Sequence, residues 1–270
     1  MDRSKRFVEK LRRQEPALGT VISFADPTVT ELLAEDLDFV WIDMEHSPQT
    51  LQTVQAHVMA AGAVGATSLV RVPWNDHVLI KPVLDCGADG IVVPMVRSAE
   101  DGRAAVAACL YPPQGVRGYG PRRPSRYGRD GGPDFCRKLN ENMICIFQIE
   151  HKDAIRNIKD IVAVPGVTSL VIGPNDLGGS LGHMGEPRHP EVLRAIDTVL
   201  ESAGQRGLPV GIGIGADPQF VKEWIEKGMR WIALGSDSSL LLGALGQAIK
   251  SAQVPAPDAG SKQAIGEIRT

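Results

Sequence analysis

Short apolar runs alternate with amphipathic stretches from one end of this chain to the other. The runs at 20–24, 39–43, 67–72, 90–95, 143–149, 168–172, 209–214 and 231–234 are almost continuously hydrophobic. Such runs read as strands buried on both faces, as in parallel sheets. Helical patterns at 50–61, 98–109, 189–206 and 217–227 lie between them, the last two closing before Gly207 and Gly228 as helix C-termini commonly do. Eight strands with intervening helices predict an α/β fold, a single-domain (β/α)8 TIM barrel over residues 1–253 with an extra helix at each end. An open doubly wound sheet would carry Gly-x-Gly-x-x-Gly after its first strand, and the segment from Thr20 to Asp26 contains none. Gly211-Ile212-Gly213-Ile214-Gly215 falls instead in the seventh strand, where glycines let backbone pack closely or face a ligand.

Two stretches depart from the alternation. Residues 111–133 are rich in glycine and proline and carry Arg117, Arg122, Arg123, Arg126 and Arg129. A connection this long is usually functional or disordered, so it is expected to shape a substrate pocket or to make subunit contacts. Residues 254–270, with Pro-Ala-Pro and Gly-Ser, read as a flexible tail.

Composition narrows the function classes. Of 270 residues, 43% are hydrophobic and 23% charged, with a formal net charge of −3, which gives no electrostatic support for nucleic-acid or membrane partners. No apolar run is long enough to span a bilayer. Met1-Asp2-Arg3-Ser4-Lys5-Arg6 has no signal-peptide core, so a cytoplasmic location is expected. Cys86, Cys109, Cys136 and Cys145 lack Cys-x-x-Cys spacing and read as reduced, packed thiols.

Barrel active sites lie at the carboxyl ends of the strands, and the unusual polar residues of this chain gather there. Asp43, Glu45 and His46 follow the second strand, and Arg71 ends the third. Gln148 and Glu150 end the fifth, Asn175 and Asp176 follow the sixth in Gly173-Pro174-Asn175-Asp176, and Asp237 follows the eighth. Taken singly, each has an ordinary explanation as a turn residue, a helix cap or a salt-bridge partner. Together they place several carboxylates in one mouth, where they repel unless a cation or a proton intervenes. Glu150 and Asp176 are the best metal-ligand pair. Two carboxylates completed by water or substrate oxygens suit a hard cation, Mg²⁺ or Mn²⁺, although Co²⁺ or Zn²⁺ could also occupy such a site.

In sequence order these residues carry a family resemblance. Ala25-Asp26-Pro27, Ile42-Asp43-Met44-Glu45-His46, Val70-Arg71-Val72-Pro73-Trp74-Asn75-Asp76, Val93-Pro94-Met95-Val96, Tyr111-Pro112-Pro113-Gln114-Gly115-Val116-Arg117-Gly118, Gln148-Ile149-Glu150 and Ile172-Gly173-Pro174-Asn175-Asp176-Leu177 together resemble the HpcH/HpaI family of class II pyruvate aldolases. The resemblance covers about residues 19–245. It implies reversible cleavage of a 4-hydroxy-2-oxo acid to pyruvate and an aldehyde, through an enolate stabilised by a divalent metal on Glu150 and Asp176. It further implies that the backbone N–H groups around Gly173, Pro174, Asn175 and Asp176 cradle the substrate carboxylate. Arg71 would face the ketone oxygen, Gln148 would support the substrate, and Asp43 with His46 would handle protons. A homo-oligomer is implied as well, commonly a hexamer, with a terminal helix near residues 240–252 exchanged between neighbours. Val21 stands where the family's type member has tryptophan, which leaves the aldehyde partner open.

Other chemistries remain on the table. A Schiff-base aldolase needs a desolvated lysine inside the barrel, and no expected strand supplies one. Acyl-CoA lyases of the citrate lyase type and macrophomate-synthase-like decarboxylating enzymes share the metal–enolate logic. A barrel that only binds a 2-oxo acid is the non-catalytic alternative.

Overall fold

The computed structural model describes residues 3–215 and 217–252. Its strands are β1 (Ala17–Ile22), β2 (Phe39–Asp43), β3 (Thr67–Arg71), β4 (Gly90–Val93), β5 (Ile144–Ile149), β6 (Ser169–Ile172), β7 (Val210–Ile214) and β8 (Trp231–Ser236). They pair in parallel, in sequence order, and close into a barrel through β8 and β1. The helices are α1 (Arg3–Arg12), α2 (Pro27–Ala34), α3 (Leu51–Val64), α4 (His77–Asp85), α5 (Ala99–Cys109) and α6 (Pro133–Glu141) in the first half. The second half holds α7 (Lys152–Arg156), α8 (Ile158–Ile161), α9 (Pro174–Leu181), α10 (Pro190–Gly204), α11 (Pro218–Glu226) and α12 (Asp237–Ser251). The expected (β/α)8 barrel is therefore the fold. The tail expected at 254–270 lies outside the described residues.

Alternation along each strand divides the core in two. Val40, Ile42, Val70, Ile91, Phe147, Ile172 and Ile232 point outward and pack beneath the helices. Phe39, Trp41, Leu69, Val92, Ile146, Val171 and Trp231 fill the barrel interior. The interior aromatics interlock, with Phe39 and Trp231 edge to face at 5.3 Å and Trp41 and Trp231 at 5.9 Å. Helix α1 closes the amino end of the barrel by inserting Phe7 against Phe39 at 5.6 Å.

This filling explains the glycines of β7. A Cβ on Gly211 would sit 2.1 Å from the Trp231 indole, so only glycine leaves room for that ring. Gly19 does the same for Phe39. The indole N–H of Trp231 donates to the Ser169 hydroxyl at 2.9 Å, which satisfies it inside the barrel.

Three expectations need adjustment. Strand β1 starts earlier than 20 and stops at Ile22, because the N–H groups of Ser23 and Phe24 donate to the Asp237 carboxylate at 2.9 Å instead of continuing the ladder. The C-terminal helix begins at Asp237, not near 240. The loop at 111–133 lies on the return path from α5 to the amino end of β5, away from the carboxyl mouth, and so cannot line that mouth in its own barrel. Arg117 pins it there. Its guanidinium is 3% exposed, donates to Asp85 at 2.8 Å and lies 4.4 Å from the Tyr111 ring. Among the described residues no helix is long and apolar enough to cross a membrane.

Candidate active site

The inward positions that hold aromatics deep in the barrel hold polar groups at its carboxyl end. On β2 the inward series runs Phe39, Trp41, Asp43, and on β3 it runs Thr67, Leu69, Arg71. Asp43 and Arg71 are register partners, so their side chains emerge side by side. Arg71 Nε and Nη2 donate to the two Asp43 oxygens at 2.9 and 2.7 Å. Such a fork-to-fork pair fixes a guanidinium in both position and plane. Trp41 lies beneath it, 5.3 Å from the Arg71 Cζ. Burial opposes ionisation of Asp43, yet the Arg71 guanidinium and the N–H groups of Glu45 and His46 hold its carboxyl below the ordinary carboxylate range.

Glu45 turns back onto the same guanidinium, with Oε2 3.0 Å from Arg71 Nη1. Burial raises its pKa, Arg71 works against that rise, and Asp43 and Asp176 add to it. His46 is placed differently from the expected Asp43–His46 pair. Its ring is 61% exposed, and the acid nearest it is Glu45, at 3.8 Å. Only its backbone N–H approaches Asp43, at 3.4 Å. The Asp43 carboxylate is occupied by Arg71 and does not orient the imidazole.

On the opposite wall Glu150 follows β5 and is 3% exposed. Its Oε1 accepts the Met95 N–H at 2.7 Å, and its Oε2 accepts from the Gln148 amide. Burial pushes the Glu150 carboxyl up to about 7; the bonds from Gln148 and Met95 pull it down, while Glu45 and Asp176 push it further up. The Gln148 amide oxygen is buried without a partner. Met95 reaches Glu150 from a left-handed backbone, φ 56°. Nothing in the local sequence signalled that role, apart from its place beside Val93-Pro94.

Asn175 and Asp176 sit exposed in the first turn of α9. Gly173, the residue before that helix, brings no side chain to cap it, so no side chain caps the first turn that carries Asn175 and Asp176. A Cβ on Gly173 would come within 2.9 Å of Glu150 Oε2, so glycine keeps the space beside that carboxylate open. Asp237 does not join the mouth. It anchors β1 to α12 through Ser23 and Phe24 and is 4% exposed. Val21 pairs in register with Trp41, one layer below Asp43, and so borders the floor.

The barrel and its mouth are those of a known group. A family model described as HpcH/HpaI aldolase/citrate lyase matches residues 22–244. The chain belongs to the HpcH/HpaI family. It is 39% identical to a Klebsiella pneumoniae 4-hydroxy-2-oxo-heptane-1,7-dioate aldolase, over 87% of this chain and 89% of that one. It is 37% identical to a Pseudomonas putida 2-dehydro-3,6-dideoxy-6-sulfogluconate aldolase, over 91% and 97%. A crystal structure of a family protein from Burkholderia cenocepacia superposes with a TM-score of 0.88 at 32% identity, covering 92% of this chain and 99% of that one. This member is thus an aldolase-type carbon–carbon lyase acting on small molecules, and its family is generally dependent on a divalent metal. The Schiff-base alternative has no lysine on any of the eight strands to carry it.

The residues present suit such a cation. Glu150 is a buried carboxylate whose ionisation is penalised, Asp176 lies close enough to be felt by it, and Gly173 keeps the intervening space clear. A cation there offsets the cost of burying the acid.

Proposed function

We propose that this chain cleaves 4-hydroxy-2-oxo acids to pyruvate and an aldehyde, reversibly, at the mouth framed by Asp43, His46, Arg71, Gln148, Glu150 and Asp176. The observation that carries the reading is Glu150, an acid only 3% exposed beside the space that Gly173 keeps open, where burial pushes its carboxyl up to about 7. Glu150 and Asp176 would hold the divalent cation, Mg²⁺ or Mn²⁺ by the hardness of two carboxylate ligands, with Co²⁺ and Zn²⁺ as weaker fits. Bound there, it supplies Lewis-acid polarisation of the ketone.

The chain's own residues account for the rest. The N–H groups of Asn175 and Asp176 receive the substrate carboxylate at the start of α9. Arg71 has five N–H groups, of which two donate to Asp43, while Nη1 lies 3.0 Å from Glu45 Oε2 as an ion pair. Its N–H groups not bonded to Asp43 would serve the ketone oxygen. His46, with its exposed ring, takes the proton of the 4-hydroxyl as the C3–C4 bond breaks and the aldehyde forms. The bonding electrons pass to the ketone oxygen as the pyruvate enolate, where the fixed guanidinium stabilises the developing charge. A proton added at C3 completes pyruvate. Asp43 acts through Arg71, which it orients.

Exposed Leu241, Leu242, Leu245 and Ile249 on α12 support a homo-oligomer in which that helix is covered by a second copy, and a hexamer is the assembly proposed.

The test is pyruvate release from a panel of 4-hydroxy-2-oxo acids, using chelated enzyme with and without added Mg²⁺ or Mn²⁺. Metal-restored release, abolished in Glu150→Ala or Asp176→Ala, is expected. Folded enzyme that releases no pyruvate with any metal would transfer the assignment to another carbon–carbon lyase or to a 2-oxo acid decarboxylase.

A further inference from the structure

A second set of metal-ligating side chains lies outside the mouth. His183 follows the left-handed Gly182 that ends α9, His189 caps α10, and Glu191 stands in the first turn of α10. Their imidazoles stack with centroids 3.4 Å apart and planes 17° from parallel. His183 Nε2 lies 2.8 Å from Glu191 Oε2. One donor atom from each residue falls within 4.8 Å of the others, and among the described residues this is the group of three or more that meets that spacing.

The backbone holds these residues in place. The His183 N–H donates to Gly178 O at 2.8 Å, that of Glu186 to His183 O at 3.1 Å, and that of His189 to Glu186 O at 2.9 Å. The side chains stay adaptable, since His183 is 23% and Glu191 48% exposed. A tetrahedral zinc ion draws its ligand atoms to roughly 3.3 Å apart, a contraction that rotation of half-exposed side chains supplies. His189 Nδ1 accepts the Glu191 N–H at 3.3 Å, a long contact that a metal bond would replace. Helix N-termini disfavour cations, and Glu191 brings the compensating charge.

We infer that His183, His189 and Glu191 form a second metal site, for a borderline transition ion such as Zn²⁺, which staples the α9–α10 connection. Two imidazoles and one carboxylate form a nitrogen-rich set that selects Zn²⁺, Co²⁺ or Ni²⁺ over Mg²⁺, unlike the all-oxygen pair proposed at the mouth. Helix α9 carries Asp176, so the staple would brace the helix on which that residue sits. The inference does not depend on the mouth binding a metal.

The test uses untagged, chelated full-length protein carrying Glu150→Ala and Asp176→Ala, so that mouth binding is removed. Zn²⁺ is titrated by calorimetry, and Co²⁺ is followed by its visible absorption. One equivalent of Zn²⁺ per chain, a tetrahedral Co²⁺ band and a raised Tm are expected. Adding His183→Gln should weaken binding at least about tenfold, and adding His189→Gln, which tests the second imidazole in a separately folded variant, should do the same. No saturable Zn²⁺ binding at micromolar concentration, or binding unchanged by either histidine substitution, would overturn the site.

Discussion

Asp43 on β2 and Arg71 on β3 stand side by side at the rim of the barrel, where Arg71 donates two hydrogen bonds, 2.9 and 2.7 Å long, to the Asp43 carboxylate. The pair converts a flexible cation into one fixed in plane before substrate arrives. Lysine cannot reproduce that fork. Arg71→Lys is therefore expected to lower kcat/KM for pyruvate release by about 10²–10³, measured by steady-state kinetics. A loss under tenfold would mean that Arg71 serves only the fold.

Glu150 makes the metal-free protein sensitive to pH. Burial pushes its carboxyl up to about 7 in the folded state, against an ordinary glutamate value of 4.5, so the folded state binds this proton more tightly than the unfolded one. The resulting stability is fully present below about pH 4.5 and is lost as pH rises through about 7, on the order of 1–3 kcal/mol. Urea melts in chelator at pH 5 and pH 8 should show the decline, and Glu150→Gln should flatten it. Metal affinity should rise over the same interval, because binding displaces that proton.

His46 separates chemistry from stability. With its ring 61% exposed, His46→Gln should leave the unfolding free energy within about 0.5 kcal/mol. The same substitution should lower kcat by about 10²–10⁴. Comparing urea melts with turnover checks both halves, and near-normal kcat would remove His46 from the proton-transfer role.

Two glycines of β7 give a steric contrast. Gly211→Ala drives a methyl into the Trp231 indole and should cost about 1–3 kcal/mol. Gly213→Ala would place its Cβ 3.9 Å from Trp41, an ordinary contact, and should be tolerated. Equal destabilisation of the two variants would contradict the interior packing described here.

Most of the barrel was legible along the chain, because strands buried on both faces must be continuously apolar. Seven of those apolar runs overlap strands with ends shifted by no more than two residues, whereas β1 is displaced by Asp237. The polar mouth was legible for a related reason: Asp43, Arg71 and Glu150 break apolar runs at their carboxyl ends. The orientation of those side chains was not. The family resemblance paired Asp43 with its neighbour His46, whereas register across two strands gave it to Arg71.

The sequence by itself determined the alternation of strands and helices, the family and the residues available for chemistry, since all three reside in local pattern and order. Only the tertiary structure decided which groups meet. It sent the arginine-rich loop to the far side from the mouth and put Gly211 under Trp231. It buried Glu150 against Met95 and stacked His183 on His189. Those outcomes depend on strand register and barrel closure, which bring residues far apart in the chain within bonding distance and set the solvent exposure on which their charges depend.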